Sequence, residues 1–481
     1  MPKNPSTIII RVPPERARFA LKALVAGLER LGHTAHLEAA GSAPADAEVE
    51  RVLAFERRLY RDPETPGLRL PLPAAEPRSG VIISLAGPMP EAEFALWLDG
   101  ETGLDSLETS LVNGHVPLIE LRDRAGTVRA AGLPGIEQRE ILGRSLVGFY
   151  ARLATVIDMA LDGAARSLPD RNGMRETPGG TTPLGYFLRH TAQKVAGRIA
   201  PARQRAEHWR IGIRPVTGRF RPDGDGHPHG FLILPDDGGR CYADPVLWED
   251  GERTFLLMEE FPYDTGIGCL AYTELAPDGR ALHSPRRMLE RRTHLSYPFV
   301  FRHDGDIYLL PENAASGALT LYRARQFPEV WEEHSVLIPG RALHDATLIE
   351  KDGRWWLLAN EEFGGSSWDV LVIFSGESPL GPFQPHGVHP ILVDARLSRP
   401  AGPVLRDGSR LIRPVQSCLG GYGQFLRFTE ITQLDDQGFR QREIGRMMPE
   451  GDREMSGLHT YARSSRFEAI DLLTRRNWRL A

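Results

Sequence analysis

Four Asp-Gly pairs divide the second half of the chain into similar lengths: Asp250-Gly251, Asp304-Gly305, Asp352-Gly353 and Asp407-Gly408, spaced 54, 48 and 55 residues apart. Each follows a strand-like run (PVLWE, PFVFRH, ATLIEK, GPVLR) and precedes another (RTFLLMEEF, DIYLLPEN, RWWLLANEE, SRLIRPVQ). Such a pair between two runs reads as a β-hairpin turn, because glycine accepts the positive φ that tight loops demand. A repeat of about 50 residues in all-β sequence is the period of a four-stranded propeller blade. A ring must close without an open edge, so four units require a fifth. The C-terminal stretch GLHTYARSSRFEAIDLL, paired with HWRIGIRP or HGFLILP, supplies it. The expectation is an all-β, five-bladed propeller over residues 206–481.

The hairpin geometry predicts where function gathers. The first strand of each hairpin begins, and the second ends, on one face of the ring, so the residues at those places converge on one mouth. At the starts stand Asp244, Tyr297, His344 with Asp345, and Arg399. At the ends stand Glu259 with Glu260, Glu312, Asn360 with Glu361, and Arg413 with Gln416, while the fifth unit contributes His459. Carboxylates, amides, guanidinium groups and imidazoles, with aromatics such as Trp355, Trp368 and Tyr422, suit a polyhydroxylated ligand, whose hydroxyls need donors and acceptors and whose C–H faces need flat apolar surfaces. Period-2 alternation lets only one of Glu259 and Glu260 point inward. Arg399 and Arg413 favour a phosphate or carboxylate on that ligand.

Residues 1–165 read differently. STIIIRV, TAHLEA, GVIISLAG and VPLIELRD are strands between helical stretches, the pattern of an α/β domain with a parallel, doubly wound sheet. The first strand–helix turn is RVPPER, with prolines where a nucleotide-binding loop needs glycines, which argues against a dinucleotide site. Asn113, His115 and Asp123 in NGHVPLIELRD read as a turn entering a strand. The periodic run from Ile136 to Leu168 predicts a closing helix of about nine turns. Residues 166–205 form a linker rich in Pro, Gly and Thr, then a basic helix carrying Arg189, Lys194, Arg198, Arg203 and Arg205.

The formal charge of -5 argues against a general nucleic-acid binder. No run approaches the length of a membrane span, and Cys241, Cys269 and Cys418 stand far apart without a zinc or redox spacing, so a cytoplasmic protein with free thiols is expected. No ligand spacing demands a metal, and no cofactor is implied.

YADPVLWEDGERTFLLMEEF, HLSYPFVFRHDGDIYLLPENA, LHDATLIEKDGRWWLLANEE, SRPAGPVLRDGSRLIRPVQ and GLHTYA together resemble a family of bacterial proteins with a formyltransferase-like N-terminal domain and a five-bladed propeller. That propeller is similar to the N-terminal domain of plant glucosamine inositolphosphorylceramide transferases and, more distantly, to the arabinanase, levansucrase and invertase superfamily with its family 43 glycoside hydrolases. The resemblance implies Asp244 as base or nucleophile and Asp345 as the residue that tunes the acid. The acid of those hydrolases is a Glu, commonly from the next blade, where this chain presents Arg399, Arg413 and Gln416. Glu312, or one of Glu259 and Glu260, is the substitute. The Asn, His and Asp set of formyltransferases is not found in place, so the first domain is expected to be a degenerate member of that fold. Two functions follow as expectations: hydrolysis or transfer of a glycosyl unit on a glycan or glycolipid headgroup, or non-catalytic binding of a glycan or phosphosugar in service of a partner glycosyltransferase.

Overall fold

The computed structural model describes residues 6–43, 46–60, 67–75, 79–169, 182–188, 190–191, 207–218, 222, 224–449 and 455–475. Arg189, Lys194, Arg198, Arg203 and Arg205, together with most of the expected linker, lie outside the described residues. The chain forms two compact units. The first comprises Met1–Ile199 with two later segments, Phe363–Asp369 and Leu392–Ala395, and the second comprises Ala200–Glu362, Val370–Ile391 and Arg396–Ala481.

The first unit is an α/β domain. Its strands are β1 (Thr7–Val12), β2 (Thr34–Ala39), β3 (Val81–Ser84), β4 (Phe94–Leu98), the two-residue β5 (Glu101–Thr102), β6 (Ile119–Asp123) and β7 (Val128–Gly132). Its helices are α1 (Leu21–Arg30), α2 (Ala47–Tyr60), α3 (Leu107–Val112) and α4 (Leu142–Asp162). The sheet runs β2-β1-β3-β4-β6-β7, and only its first half is parallel: β1 pairs β2 and β3, and β3 pairs β4, in parallel, whereas β4–β6 and β6–β7 are antiparallel. For β6 and β7 the reason is local. Asp123 Oδ1 accepts from the N–H groups of Ala125 and Thr127, folding a tight turn far too short for the crossover that parallel strands need.

Helix α4 is also shorter than its periodicity predicts. It begins at Leu142, where the buried Glu56 carboxylate accepts from Leu142 N and Gly143 N at 2.8 and 3.0 Å, and it ends at the left-handed Gly163. A carboxylate on the free N–H groups of a first turn is favourable for the helix dipole as well as for hydrogen bonding. Gly27 permits α1 to lie against α4, since a Cβ there would sit 2.6 Å from Ala154 Cβ. Among the described residues no helix is long and apolar enough to cross a membrane.

The second unit is the five-bladed, all-β propeller. Blade 1 holds Arg240–Asp250, Arg253–Pro262, Cys269–Leu275 and Arg286–Leu289, and blade 2 holds Ser296–His303, Asp306–Glu312, Ala318–Gln326 and Val330–Pro339. Blade 3 holds Leu343–Lys351, Arg354–Glu361, Val370–Gly376 and Gln384–Pro385; blade 4 holds Leu405–Asp407, Arg410–Ser417, Phe425–Asp435 and Gly438–Met447, with Gly224–Gly226 added in parallel. Blade 5 joins both ends of the unit: Phe467–Arg475 pairs antiparallel with Glu207–Pro215, which pairs with Leu232–Ile233. The ring therefore closes with the strands expected from sequence.

Adjacent blades bury apolar faces on one another. Val246, Phe255 and Leu270 of blade 1 pack with Val300, Leu309 and Tyr322 of blade 2, and Ile412 and Phe428 of blade 4 pack with Tyr461 and Ile470 of blade 5. All three cysteines are free and buried.

Candidate functional site

In blades 1, 2 and 3 a bulge interrupts the first strand at the same place, where the register steps between Ala243 and Val246, Ser296 and Phe299, and His344 and Thr347. Asp244, Tyr297 and Asp345 open these bulges with positive φ angles of 51°, 46° and 51°. Residues other than glycine avoid that region unless their surroundings hold them, and a bulge re-aims the side chain it carries. Here each backbone N–H is held by a carboxylate of the preceding blade. Asp471 Oδ2 accepts from Asp244 N at 2.9 Å, Asp244 Oδ2 from Tyr297 N at 3.1 Å, and Glu312 Oε2 from Asp345 N at 3.2 Å. The strained positions are thus linked in sequence around the ring. Blade 4 breaks the series: its first strand begins only at Leu405, and its Gly-Pro-Val run carries Gly402 where a Cβ would fall 2.0 Å from the Tyr461 carbonyl oxygen. No acidic side chain fits there.

Blades 1 and 5 build the first cluster. Asp244 Oδ1 accepts from Thr460 Oγ1 at 2.8 Å and lies 3.2 Å from His459 Nε2, and His459 Nδ1 lies 2.8 Å from Asp471 Oδ2. Asp471 Oδ1 accepts from the N–H groups of His459 and Thr460 at 3.0 and 2.7 Å. All four residues are buried. Burial works against charge on His459, but Asp471 and Asp244 outweigh it and hold the imidazole well above its usual pKa. Burial likewise raises the Asp244 carboxyl, and His459 with Thr460 reverses this and brings it below the ordinary range.

Asp244, His459 and Asp471 place ligand atoms within 4.8 Å of one another. Asp244 and Asp471 favour the charged form of His459, which has no free lone pair, so a metal ion would have to displace a ring proton.

Blades 2, 3 and 4 build the second cluster. Glu312 Oε1 lies 3.2 Å from His344 Nδ1, Asp345 Oδ2 accepts from Arg399 Nε at 2.7 Å, and Gln416 Nε2 donates to Asp345 Oδ2 at 3.4 Å. His344 Nε2 lies 3.4 Å from the more exposed Glu362. Burial would raise the Glu312 carboxyl, but His344 and Arg399 hold it far below the usual carboxylate range, so it is a poor proton donor. Burial would lower His344, yet Glu312 and Glu362 push it up to about 9.

The remaining residues singled out from sequence separate into two groups. Glu259, opposite Ala243, lies 3.2 Å from His294; burial, with Asp244 nearby, raises its carboxyl against the pull of that imidazole. Glu260 turns away and is held by Arg240 and Arg287 at 2.8 and 2.9 Å. The Tyr297 hydroxyl bridges Thr347 Oγ1 and Gly402 N, both at 2.9 Å, and so fastens blades 2, 3 and 4 together. Arg413 donates to the carbonyls of Leu397 and Ser398 and to Gln441 Oε1, and burial lowers its guanidinium to about 9. Asn360 is fully buried opposite His344.

Of the aromatics, Trp355 packs on Phe301 and His303, and Trp368 belongs to the first unit. Tyr422 remains beside His459, ring centres 5.4 Å apart, with Arg399 5.2 Å above its ring. Sequence reasoning missed Trp209, whose ring centre is 4.1 Å from His459, and also Asp471, Thr460 and His294. A charge inside the apolar strand FEAIDLL was the available signal for Asp471, since buried charges are kept only when paired.

A sequence-family profile described as "Glucosamine inositolphosphorylceramide transferase 1, N-terminal" matches residues 238–478. Through these residues the chain belongs to that family. Among curated relatives, glucosamine inositolphosphorylceramide transferase 1 of Oryza sativa subsp. japonica is 32% identical over 242 residues, covering 48% of this chain and 32% of its own length. The protein of the same description from Arabidopsis thaliana is 29% identical over 322 residues, covering 64% of this chain and 40% of its own. The chain thus spans about a third of the rice relative it matches. Among solved structures, the catalytic domain of a Coprinopsis cinerea GH62 α-L-arabinofuranosidase aligns with a TM-score of 0.38 at 16% identity, over 56% of this chain and 99% of that one.

Proposed function

We propose that the propeller mouth is a carbohydrate-recognition site for a neutral or amino-sugar group of a glycan or glycolipid headgroup, acting without hydrolysis in service of a glycosyl-transfer reaction carried by another domain or protein. The observation that carries this reading is the mutual satisfaction of the mouth's charges. Asp345 is paired to Arg399, Glu312 to His344 and Asp244 to His459, so neither arginine of blade 4 is left to receive a phosphate. Glycoside hydrolysis needs one carboxyl held protonated beside a second that is ionised. His344 and Arg399 hold Glu312 below the usual carboxylate range; burial raises its neighbour Asp345, but that carboxyl is engaged by Arg399 and Gln416, and Gly402 offers no further acid from the next blade. Trp209 and Tyr422 beside His459 offer flat surfaces for sugar C–H faces. Membership in the glucosamine inositolphosphorylceramide transferase N-terminal family agrees with a glycolipid pathway.

A second reading rests on one specific observation: Glu259 is pushed up while Asp244 is held down, the opposed pair that acid–base chemistry uses. In that case Asp244 is the base or nucleophile and Glu259 the acid. Calorimetry against neutral oligosaccharides, hexosamines, uronic acids and inositol phosphates, alongside aryl-glycoside turnover, separates the two. The recognition reading expects neutral or amino sugars to bind, Trp209→Ala to weaken binding about tenfold through lost stacking, and no turnover. Turnover abolished by both Asp244→Asn and Glu259→Gln would replace it with the second reading, and binding confined to anionic sugars would sink it.

A further inference from the structure

Helix α2 buries Val49, Val52, Leu53 and Glu56 and leaves Phe55 and Leu59 standing open, 45% and 51% exposed. Beside it lies the short helix 183–188, anchored from one side by Tyr186, whose hydroxyl donates to the Arg139 carbonyl. Its other side carries Leu184, Phe187 and Leu188 at helical spacing; Phe187 stacks on Phe55 with ring centres 5.5 Å apart, while Leu184 and Leu188 remain 49% and 57% exposed. Four of the eleven exposed large apolar side chains among the described residues therefore gather on one two-helix face. Isolated exposed leucines need no explanation, but a contiguous group does.

The exposed charge around this face is predominantly basic. Arg51 and Arg58, seven residues apart on α2 and both exposed, border Phe55 and Leu59, and among the described residues no carboxylate pairs with either. Glu56 is turned inward onto the α4 amides, and Glu50 is engaged by Arg18 and Arg69, which leaves Glu48 in the first turn as the acidic neighbour. In sequence the chain beyond the short helix continues from residue 189 to 205 with five Lys or Arg and no Asp or Glu, in a protein whose net charge is -5.

We propose that this face of the first unit docks on an anionic lipid surface, with Phe55, Leu59, Leu184 and Leu188 entering the interface and Arg51 and Arg58 meeting phosphates. An exposed apolar stripe bordered by arginines fits the headgroup boundary, where apolar burial and attraction to anionic lipid add. The inference is independent of what the propeller mouth binds.

The test is flotation of the full chain with vesicles of phosphatidylcholine alone and with added phosphatidylserine, at low and high salt. Wild type is expected to float with the anionic vesicles, to stay down with neutral ones, and to be released by salt. Arg51→Glu with Arg58→Glu should weaken partitioning about tenfold or more, and Leu184→Ser with Leu188→Ser should weaken it comparably on the separate helix. Arg280→Glu with Arg442→Glu, on exposed propeller positions, makes the same change in net charge and should leave partitioning near wild type. Failure of wild type to float, equal loss in the propeller control, or self-association that depends on Phe55 and Leu59 in place of vesicle binding would each overturn the proposal.

Discussion

Two aspartates with no solvent exposure, Asp369 of the first unit and Asp471 of the propeller, solve the same physical problem differently. Asp369 faces the Arg152 guanidinium in a two-pronged pair, Nε to Oδ2 at 2.9 Å and the terminal nitrogen to Oδ1 at 2.7 Å, and also accepts from Gly135 N at 2.7 Å. Its counter-charge is permanent and its partners are structural. Among the described residues no guanidinium pairs with Asp471; it accepts from three backbone N–H groups and lies against His459, which in turn touches Asp244. A fixed pair locks a segment in place. A carboxylate that orients a titratable imidazole passes its influence on to the mouth. The difference marks the first as architecture and the second as part of the site.

The largest expected effect falls on the fixed pair. Arg152→Met removes the only cation facing Asp369 among the described residues and leaves its charge buried, which costs about 3–5 kcal/mol. Urea denaturation measures it, and hydrogen exchange at Gly135 N localises it. A loss below about 1 kcal/mol would mean that Asp369 is neutral in the native state, and the contrast with Asp471 would fail.

The next effect separates the two kinds of counter-charge by pH. His344 has a folded pKa of about 9 against an ordinary 6.5, so the stability it confers is fully present below about pH 6.5 and is lost as pH climbs through 9. That shift corresponds to about 3 kcal/mol at most. His459 and His294 are raised in the same direction. The Arg152–Asp369 pair contains no imidazole and so adds no histidine-borne slope. Propeller stability should therefore fall between pH 7 and 10 while protection at Gly135 N is maintained. Parallel loss in both units would erase the distinction.

Asp471→Asn comes third. It keeps the shape but turns one acceptor into a donor facing N–H groups that are already donors, a cost of about 2 kcal/mol. Imidazole nitrogen shifts at pH 7.5 should show His459 doubly protonated in wild type and neutral in a substantial fraction of the variant. An unchanged His459 would show that Asp244 alone holds its charge. Glu468→Gln, on the same strand and bonded to Tyr461 and Arg214 away from the mouth, should leave His459 as in wild type.

The ring was readable from the chain because hairpin turns are local chemistry. Asp304-Gly305 and Asp352-Gly353 both take positive φ at the two loop positions, whereas Gly251 and Gly408 lead their loops and Asp250 and Asp407 close their strands. The same dipeptide thus serves two registers, and either one returns the chain. The repeated bulge, Asp-Pro-Val, Tyr-Pro-Phe and Asp-Ala-Thr, was equally present in the chain and marks which side chains are re-aimed.

Side-chain destination was harder, because it depends on partners distant in sequence. Arg413 and Gln416 are three residues apart in one strand and so point to opposite faces, which alternation alone could have told. That Arg413 ends on backbone carbonyls, and that the last strand's Asp471 holds the first blade's bulge, required the closed ring. In the first unit, β4 and β7 were not read from the chain and β6, the run VPLIELRD, lies antiparallel to its neighbours, because short apolar runs carry no direction signal.

The smallest effect tests how the two carboxylates of the mouth share one segment. Thr460 donates its hydroxyl to Asp244 Oδ1 and its backbone N–H to Asp471 Oδ1, so it touches both ends of the His459 relay. Thr460→Val deletes the first bond and keeps the second, at similar volume. The expected cost is about 1 kcal/mol, the value of one buried hydrogen bond to a charged group reduced by the donors Asp244 retains from Tyr297 N and His459. With one donor fewer, Asp244 should hold its proton to a higher pH, and the acid edge of the propeller's stability profile should move upward. Asp471, still bonded through the backbone, should keep His459 charged. If Thr460→Val instead neutralises His459, then Asp244 governs the imidazole, and the role assigned to Asp471 passes to the first blade.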